Sequence, residues 1–314
     1  MGKSQSIQAI RETIKKIAPT NANVLIEAEC GTEKDLIAKA IHDFSGRKTN
    51  PYVIFNCAET DMLDTELFGQ ELEGQIGIKN IIKGKLEISD KGTLFLEEID
   101  KLPTTIQIKL LRTIQEKRLQ KIDGMGFIPL DVRLISATNK NLQEEINQGR
   151  FREDLYYKLN VVKIKIPALK ERTDDIPLWI EHFLKHYTTA SQPSCKVSEI
   201  SPRAVNILCN YKWNGNVEEL ENAIAHAVVF CKSNVIIPAD LPSHIQSAPI
   251  SYLDLSEIPD GLGLAKTLAE VEKKLILNAL KISGNIQSEA AKILGISKSG
   301  LHQKLKKYNI HIFY

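Results

Sequence analysis

The chain has 314 residues, enough for about two domains or for one large α/β domain with an appendage. Hydrophobic residues make up 43% of it and charged residues 25%, which excludes disorder, collagen and coiled coil as descriptions of the whole chain. The net charge of +2 is unevenly distributed: residues 263–314 contain nine lysines and three glutamates, a net of +6, so residues 1–262 carry −4. This asymmetry indicates an acidic body with a basic tail that binds nucleic acid.

The five cysteines are odd in number and widely spaced, and none forms a CxxC pair. This pattern supports neither a disulfide framework nor a zinc site, and it is typical of reduced thiols in a cytosolic protein. No run of 18 apolar residues and no apolar signal core occur. We therefore expect a cytoplasmic protein with no metal site.

Short apolar runs alternate with helical patterns along the first half of the chain, which predicts a mostly parallel α/β sheet. The predicted strands are 23–27, 52–55, 93–96, 132–137 and 161–166. Beyond Pro167 the patterns predict helices over 174–187, 201–211 and 217–231, with no strand among them. The expected organisation is an α/β core over 1–166, a helical subdomain over 167–240, a proline-containing linker over 241–262 and a basic helical domain over 263–314.

The basic domain contains two short helical patterns joined by the turn Gly295-Ile296-Ser297, which predicts a helix-turn-helix. Its expected small core consists of Ala290, Ala291, Leu294, Ile296, Leu301 and Leu305. The residues expected to read base edges are Lys298, Ser299, His302 and Gln303, near the start of the second helix. The residues expected to contact phosphates are Lys304, Lys306 and Lys307. The alternative is a lysine-rich helical hairpin with a solvated face.

The sequence GNIQSEAAKILGISKSGLHQKLKKYNI closely resembles the Fis-type helix-turn-helix that ends many bacterial enhancer-binding regulators. The resemblance implies that the preceding long helix forms a homodimer on double-stranded DNA. The two recognition helices would then enter successive major grooves about 34 Å apart. Gly300 stands where that family usually has threonine, so the resemblance implies the loss of one phosphate-contacting hydroxyl.

Residues 28–35, after the first predicted strand, stand where a phosphate-binding loop belongs. Such a loop needs the spacing G-x-x-x-x-G-K, because backbone N–H groups and the lysine surround the phosphates. Here Ala28 and Glu33 occupy the two glycine positions, so spacing alone does not identify a P-loop.

Six further segments carry a second resemblance. They are ELFGQE (66–71), GTLFLEEID (92–100), QIKLLRTIQEKRLQKIDG (107–124), DVRLISATNKNLQEEINQGRFREDLYYKLNVV (131–162), IPALKERTDDIP (166–177) and WNGNVEELENAI (213–224). In this order they closely resemble the AAA+ domain of the NtrC-like, sigma-54-dependent regulators of two-component systems. The absence of a GAFTGA sequence indicates kinship with the NtrX type within that family. The resemblance implies a P-loop-like parallel sheet with a helical lid, and ATP with Mg²⁺ as cofactors.

The resemblance also implies residue roles. Nucleotide phosphates would be held by Gly31, Thr32, Lys34 and Asp35. Glu97 stands at the magnesium-site aspartate, Glu98 at the water-polarising glutamate, and Asn139, beside Thr138, at the sensor asparagine. The two arginines that act on a neighbouring subunit correspond to Arg152 and Lys158. The alternative is that the retained Lys34, Glu98 and Arg152 are inherited without being used.

Other positions depart from the family pattern. Ala28 and Glu33 replace P-loop glycines, Glu33 adding bulk and negative charge beside the phosphates, and Glu218 replaces the sensor arginine. Residues 73–78 replace the sigma-contacting sequence GAFTGA, and we expect no receiver domain before the AAA+ helix. We therefore predict a DNA-binding regulator that neither hydrolyses ATP nor contacts sigma-54 productively. We also expect it to form a dimer or a higher oligomer. The alternatives are a working ATP-dependent sigma-54 activator and a partner-binding remnant that inhibits an intact relative.

Overall fold

A computed structural model describes residues 2–58, 62–73, 79–190, 197–246, 264–283, 286–308 and 310. Its contacts divide the chain into two compact units. The first unit comprises Met1–Asp175 and Trp213–Glu219, and the second comprises Ile176–Lys212 and Leu220–Tyr314.

The first unit alternates strands and helices. Its strands are β1 (Val24–Glu27), β2 (Tyr52–Asn56), β3 (Gly69–Glu73), β4 (Lys79–Lys83), β5 (Thr93–Glu97), β6 (Arg118–Gln120), β7 (Phe127–Pro129), β8 (Arg133–Thr138) and β9 (Val162–Lys165). Its helices are α1 (Gln5–Ile17), α2 (Lys34–Asp43), α3 (Leu63–Phe68), α4 (Lys85–Ile88), α5 (Thr104–Glu116), α6 (Leu142–Asn147) and α7 (Glu153–Leu159). Short 3₁₀ turns cover Ile99–Lys101, Leu169–Glu171 and Thr173–Asp175.

Five strands form one parallel sheet in the order β2-β5-β8-β1-β9, and they are the five that the sequence predicts. The central strand β8 is buried along its whole length, and β5 is buried except at its last residue. Helices cover both faces of a parallel sheet, so its strands are continuous apolar runs, and this is why they could be recognised. The expected α/β fold of this part is therefore confirmed.

Two antiparallel hairpins, β3–β4 and β6–β7, lie outside the main sheet and were not predicted. Their strands are only three to five residues long, which is too short for a periodicity argument to detect. Residues 74–78, most of the segment predicted to replace the sigma-contacting loop, lie outside the described residues.

The helix α1 packs on the sheet through Ile7, Ile10 and Ile14, at the helical spacing seen in the sequence. Its N-terminus is held by Asp175, whose buried carboxylate accepts hydrogen bonds from the N–H groups of Lys3 and Ser4 and from the Ser4 hydroxyl. A carboxylate at this position satisfies backbone donors that the first turn of a helix leaves unpaired.

His42, in α2, is buried, and its Nδ1 lies 3.0 Å from the Thr93 hydroxyl. Burial, aided by the charge of Lys39, lowers the pKa of the His42 imidazole below its usual 6.5. The imidazole is therefore protonated more readily in the unfolded chain than in the folded chain. The stability that this histidine contributes is lost as the pH falls below 6.5. We expect this group to lower the free energy of unfolding by up to about 1.4 kcal/mol per pH unit below that value.

Urea titrations across this pH range measure the effect. The variant His42→Gln should flatten the dependence, whereas His302→Gln, at an exposed histidine, should leave it unchanged. Equal slopes for the wild type and His42→Gln would contradict the assignment.

The second unit contains α8 (Ile176–Ala190), β10 (Glu199–Ile200), α9 (Pro202–Asn210), most of α10 (Asn216–Phe230), β11 (Val235–Ile236) and α11 (Ser243–Gln246). The three predicted helices are present. The prediction that no strand lies among them is wrong, because β10 and β11 form a parallel pair. Two residues per strand are too few to produce a periodic pattern. The predicted linker over 241–262 contains the helical turn α11, and its residues 247–262 lie outside the described residues.

The last helices are α12 (Leu264–Ile282), α13 (Gln287–Ile293) and α14 (Lys298–Lys307). Four of the six residues expected to form their core are buried in it with Ile276, Ala279 and Leu280 from α12, and the other two, Leu294 and Ile296, are partly buried and pack against it. The predicted helix-turn-helix is therefore present. Among the described residues, no helix is both long enough and apolar enough to span a membrane.

Candidate nucleotide-binding and DNA-binding sites

In the segment after β1, Gly31 has a left-handed backbone conformation, with φ of +72°. A Cβ atom on this residue would lie 2.1 Å from the Gly215 carbonyl oxygen, so both the backbone angle and the space require glycine. Ala28, at the first family glycine position, is buried, and its N–H donates to the Thr138 carbonyl. The chain therefore turns tightly at Gly31 although both P-loop glycines are replaced.

The segment Trp213–Glu219 lies directly on this turn. The Gly31 carbonyl accepts hydrogen bonds from the N–H groups of Val217 and Glu218, at 3.0 and 3.1 Å. The buried Asn216 side chain donates to the Cys30 carbonyl at 2.8 Å and accepts from the Leu169 N–H at 2.8 Å. Trp213 and Asn216 both have positive φ, which costs free energy and persists only where the surroundings impose it.

Glu33 does not stand as an isolated negative charge. Its carboxylate accepts two hydrogen bonds from the Arg172 guanidinium, at 3.0 and 2.6 Å. The Arg172 side chain is 0% exposed and that of Glu33 8% exposed, and Arg172 also donates to the Pro167 carbonyl. The charge that the sequence adds to the loop is thus compensated by a residue 139 positions away.

Lys34 begins α2, and its backbone N–H donates to the Thr32 carbonyl at 2.9 Å. The Thr32 hydroxyl donates in turn to the Glu29 carbonyl at 2.7 Å. In the part of the chain that the structure describes, the Lys34 ammonium group has no hydrogen-bonding or ion-pair partner. Asp35 is exposed in the first turn of the helix. The lysine side chain is therefore available to an anion, whereas its backbone N–H is already bonded within the loop.

The other predicted nucleotide-site residues lie where neighbouring parallel strands end. Glu97 is the last residue of β5, and Glu98 follows it with φ of +50°, a strained conformation typical of functional sites. Asn139 follows β8, and its amide donates to the Cys30 sulfur at 2.8 Å. The carboxyl ends of adjacent parallel strands thus bring the sensor position to the loop.

The two residues expected to act on a neighbouring subunit both belong to the α7 region. Arg152 forms a bidentate ion pair with Asp154, at 3.0 and 2.7 Å, and this carboxylate raises the pKa of the Arg152 guanidinium. Lys158 is exposed on α7. Their role towards a second subunit stays a prediction.

Two residues of this site, Arg172 and Asn216, were not predicted from the sequence. Both belong to segments that carried the family resemblance, ERTDD and WNGN, but neither was given a partner. An arginine among acidic residues after the last strand could have suggested a compensating charge for Glu33. Its distance along the chain hid the pairing.

The DNA-binding candidates lie on α14. The turn before it places Gly295 at φ of +66°, and the Ser297 hydroxyl caps the helix by accepting from the Gly300 N–H at 3.0 Å. Five candidates are exposed and share one side of the helix, since each residue turns by about 100°. These are Lys298, Ser299, His302, Gln303 and Lys306. The other two, Lys304 and Lys307, contact Glu272 of α12.

Comparison with known families assigns each part of the chain. Residues 1–165 match the sigma-54 interaction domain, residues 170–254 an AAA+ ATPase lid domain, and residues 267–308 the Fis family of bacterial regulatory proteins. The first match alone covers more than half of the chain. The chain belongs to the sigma-54-dependent transcriptional regulators, with a helix-turn-helix DNA-binding domain. As a member of that family, this regulator has the AAA+ fold that its motifs indicate.

Individual relatives agree with this assignment. The regulator is 41% identical over 309 residues to the transcriptional regulatory protein ZraR of Escherichia coli, covering 98% of this chain and 68% of ZraR. It is 37% identical over 310 residues to the regulatory protein AtoC of the same species, covering 98% of this chain and 67% of AtoC.

Solved structures show the same fold. NtrX from Brucella abortus in complex with ADP matches with a TM-score of 0.72 and 30% identity, covering 99% of this chain and 70% of NtrX. NtrX in complex with ATP matches with a TM-score of 0.71 and 32% identity, covering 98% of this chain and 68% of NtrX.

Proposed function

We propose that this regulator binds double-stranded DNA as a homodimer and controls transcription without an ATP-driven cycle. DNA binding is supported by the exposed face of α14, which carries Lys298, His302 and Lys306 above an intact apolar core. Dimer formation is supported by α12, where Leu268 is 58% exposed and Val271 and Leu275 are partly exposed on the same side. A protein that works on chromosomal DNA in bacteria works in the cytoplasm.

The observation that carries the absence of an ATP cycle is the buried ion pair between Glu33 and Arg172. A phosphate-binding loop needs free backbone N–H groups and a close approach of its backbone to the phosphates. Here the pair ties the loop to the segment after β9, and separating it would leave a buried charge without a partner. The loop is thereby held in a form whose Lys34 N–H is already bonded.

Two further features support the same conclusion. The backbone of Trp213–Glu219 is hydrogen-bonded to Gly31, so this segment covers the turn where phosphates would approach. Glu218 is exposed, and its Cβ atom lies 3.3 Å from the place that a Cβ atom on Gly31 would occupy. Its carboxylate is thus an anion at a position where the family resemblance implies a cation. Phosphoryl transfer depends on cations at such positions. The residues fit Mg²⁺-ATP poorly in this arrangement.

For sigma-54, the proposal rests on the sequence alone. The segment 73–78 retains neither the phenylalanine nor the threonine of GAFTGA, and we propose that productive remodelling of sigma-54 is absent.

The second candidate function is that of a working ATP-dependent sigma-54 activator. It is favoured by the available Lys34 ammonium group, by the compensation of the Glu33 charge, and by the similarity to NtrX, which binds ATP and ADP. The two candidates differ in whether Mg²⁺-ATP enters the loop.

Cys30 provides a direct measurement of that difference. Its thiol is exposed in the loop, whereas the Cys57 thiol is buried and serves as the internal reference. We expect millimolar Mg²⁺-ATP, with or without DNA, to leave the rate of Cys30 alkylation unchanged, as followed by peptide mass spectrometry. Phosphate release should also equal that of Lys34→Ala.

The opposite outcome has a distinct signature. If Mg²⁺-ATP slows alkylation of Cys30 and phosphate is released, and if Lys34→Ala abolishes both effects, the second candidate is correct. Protection of Cys30 without turnover would show that the loop binds nucleotide but does not use it, and would place the defect at Glu97 or Glu218 rather than at the Glu33–Arg172 pair.

A further inference from the structure

A polar cluster connects the recognition helix to the long helix before it. The Glu272 carboxylate, on α12, accepts hydrogen bonds from the Lys304 ammonium group and the Tyr308 hydroxyl, and lies 3.5 Å from the Lys307 nitrogen. The Lys307 ammonium group donates to the Tyr308 hydroxyl at 3.0 Å and lies 4.8 Å from the centre of its ring. Glu272 is 32 to 36 residues away from the other three groups in the sequence, so the cluster exists only when the domain is folded.

The position of Lys304 around α14 separates it from the other candidate cations. At about 100° per residue, Lys298, His302 and Lys306 share one side of the helix, and the buried Leu301 and Leu305 form another. Lys304 lies on a third side, towards α12, and its side chain is 36% exposed against 31% for Glu272. The contacts with Lys304 and Tyr308 lower the pKa of Glu272 to about 2, so its carboxylate is charged at every pH at which DNA binding is measured.

We propose that Glu272 is a positioning residue for DNA recognition, which binds Lys304 and Lys307 and so withholds both from the DNA phosphates. A lysine already neutralised by a carboxylate releases no DNA counterion when the complex forms. The two lysines instead anchor the C-terminal half of α14 to α12. The phosphate contact on this helix is then left to the exposed face that contains Lys298 and Lys306. This inference rests on the proposed DNA binding.

The salt dependence of DNA affinity distinguishes the two kinds of lysine. Each phosphate contact contributes about −0.9 to the slope of log K against log salt concentration. In the full chain, on a mixed-sequence duplex of about 30 base pairs, we expect Lys306→Ala to make the slope shallower by about 0.9 per protomer. Lys304→Ala, on the same helix, should leave the slope unchanged. Glu272→Gln frees both lysines and should steepen the slope by about 0.9 to 1.8 per protomer.

The variants also separate positioning from mere folding. Glu272→Gln keeps the shape of the side chain, and a loss of folding would weaken binding, whereas release of lysines strengthens binding at low salt. Lys304→Met, which keeps the apolar part of the side chain, repeats the Lys304→Ala measurement should the alanine variant unfold. If the Lys304 variants reduce the slope as Lys306→Ala does, the inference is overturned while DNA binding stands. If the wild type binds no duplex at low salt, the proposed function and this inference both fall.

Discussion

Replacing Arg172 with alanine is expected to lower the free energy of unfolding of the first unit by about 3–5 kcal/mol, because it leaves the buried Glu33 carboxylate without its partner. The double variant Glu33→Ala/Arg172→Ala should recover much of this loss, since it removes both charges together. Urea unfolding measures the effect in a Trp179→Phe background. Trp213, which is fully buried in the same unit, is then the only tryptophan and reports its unfolding.

The matched control is the exposed ion pair of Lys15 with Glu12, both in α1. Lys15→Ala should leave the unfolding curve unchanged, because solvent screens this pair. An Arg172→Ala variant as stable as the wild type would mean that Glu33 finds solvent or another partner. The loop would then not be held by the pair, and the proposed absence of an ATP cycle would lose its main support.

Replacing Leu301 with alanine is expected to unfold the DNA-binding domain and abolish DNA binding. Leu301 is completely buried between α12, α13 and α14. Truncating a buried leucine costs about 2–5 kcal/mol. A helical domain of about 50 residues has no more than about 3–5 kcal/mol to lose. Amide hydrogen exchange over residues 264–308 should lose its protection, and binding to a DNA duplex should disappear with it.

Ile293→Ala is the control for this prediction. Ile293 is 37% exposed at the end of α13, so its truncation should preserve both amide protection and DNA binding. If Leu301→Ala binds DNA as the wild type does, the helix-turn-helix either tolerates the cavity or is not the DNA-binding element.

Much of the fold was recoverable from local patterns. The strand Thr93–Glu97 is a continuous apolar run because helices cover both faces of its sheet, and the helix-turn-helix shows small residues, a glycine turn and basic residues within about 25 positions. The hairpin Arg118–Gln120 with Phe127–Pro129 was not recoverable, because strands of three residues lack a period. The same is true of the two-residue pair β10–β11.

The candidate nucleotide site was recoverable only as a set of positions. The resemblance placed Gly31, Lys34 and Asn139 in one site, and the structure brings the segments after β1 and β8 together. Whether the charge of Glu33 is compensated was not recoverable, since this depends on which cation lies within hydrogen-bonding distance.

Composition, periodicity and motif order were thus sufficient to predict the parallel sheet, the basic tail and the regulator family, because each of these depends on residues that are close in the sequence. Two charge pairings were determined only by the tertiary structure. Arg172 compensates Glu33 across 139 residues, and Glu272 engages Lys304 across 32. A charged group acts through the few ångströms around it, and that neighbourhood is set by the path of the folded chain rather than by distance along the sequence.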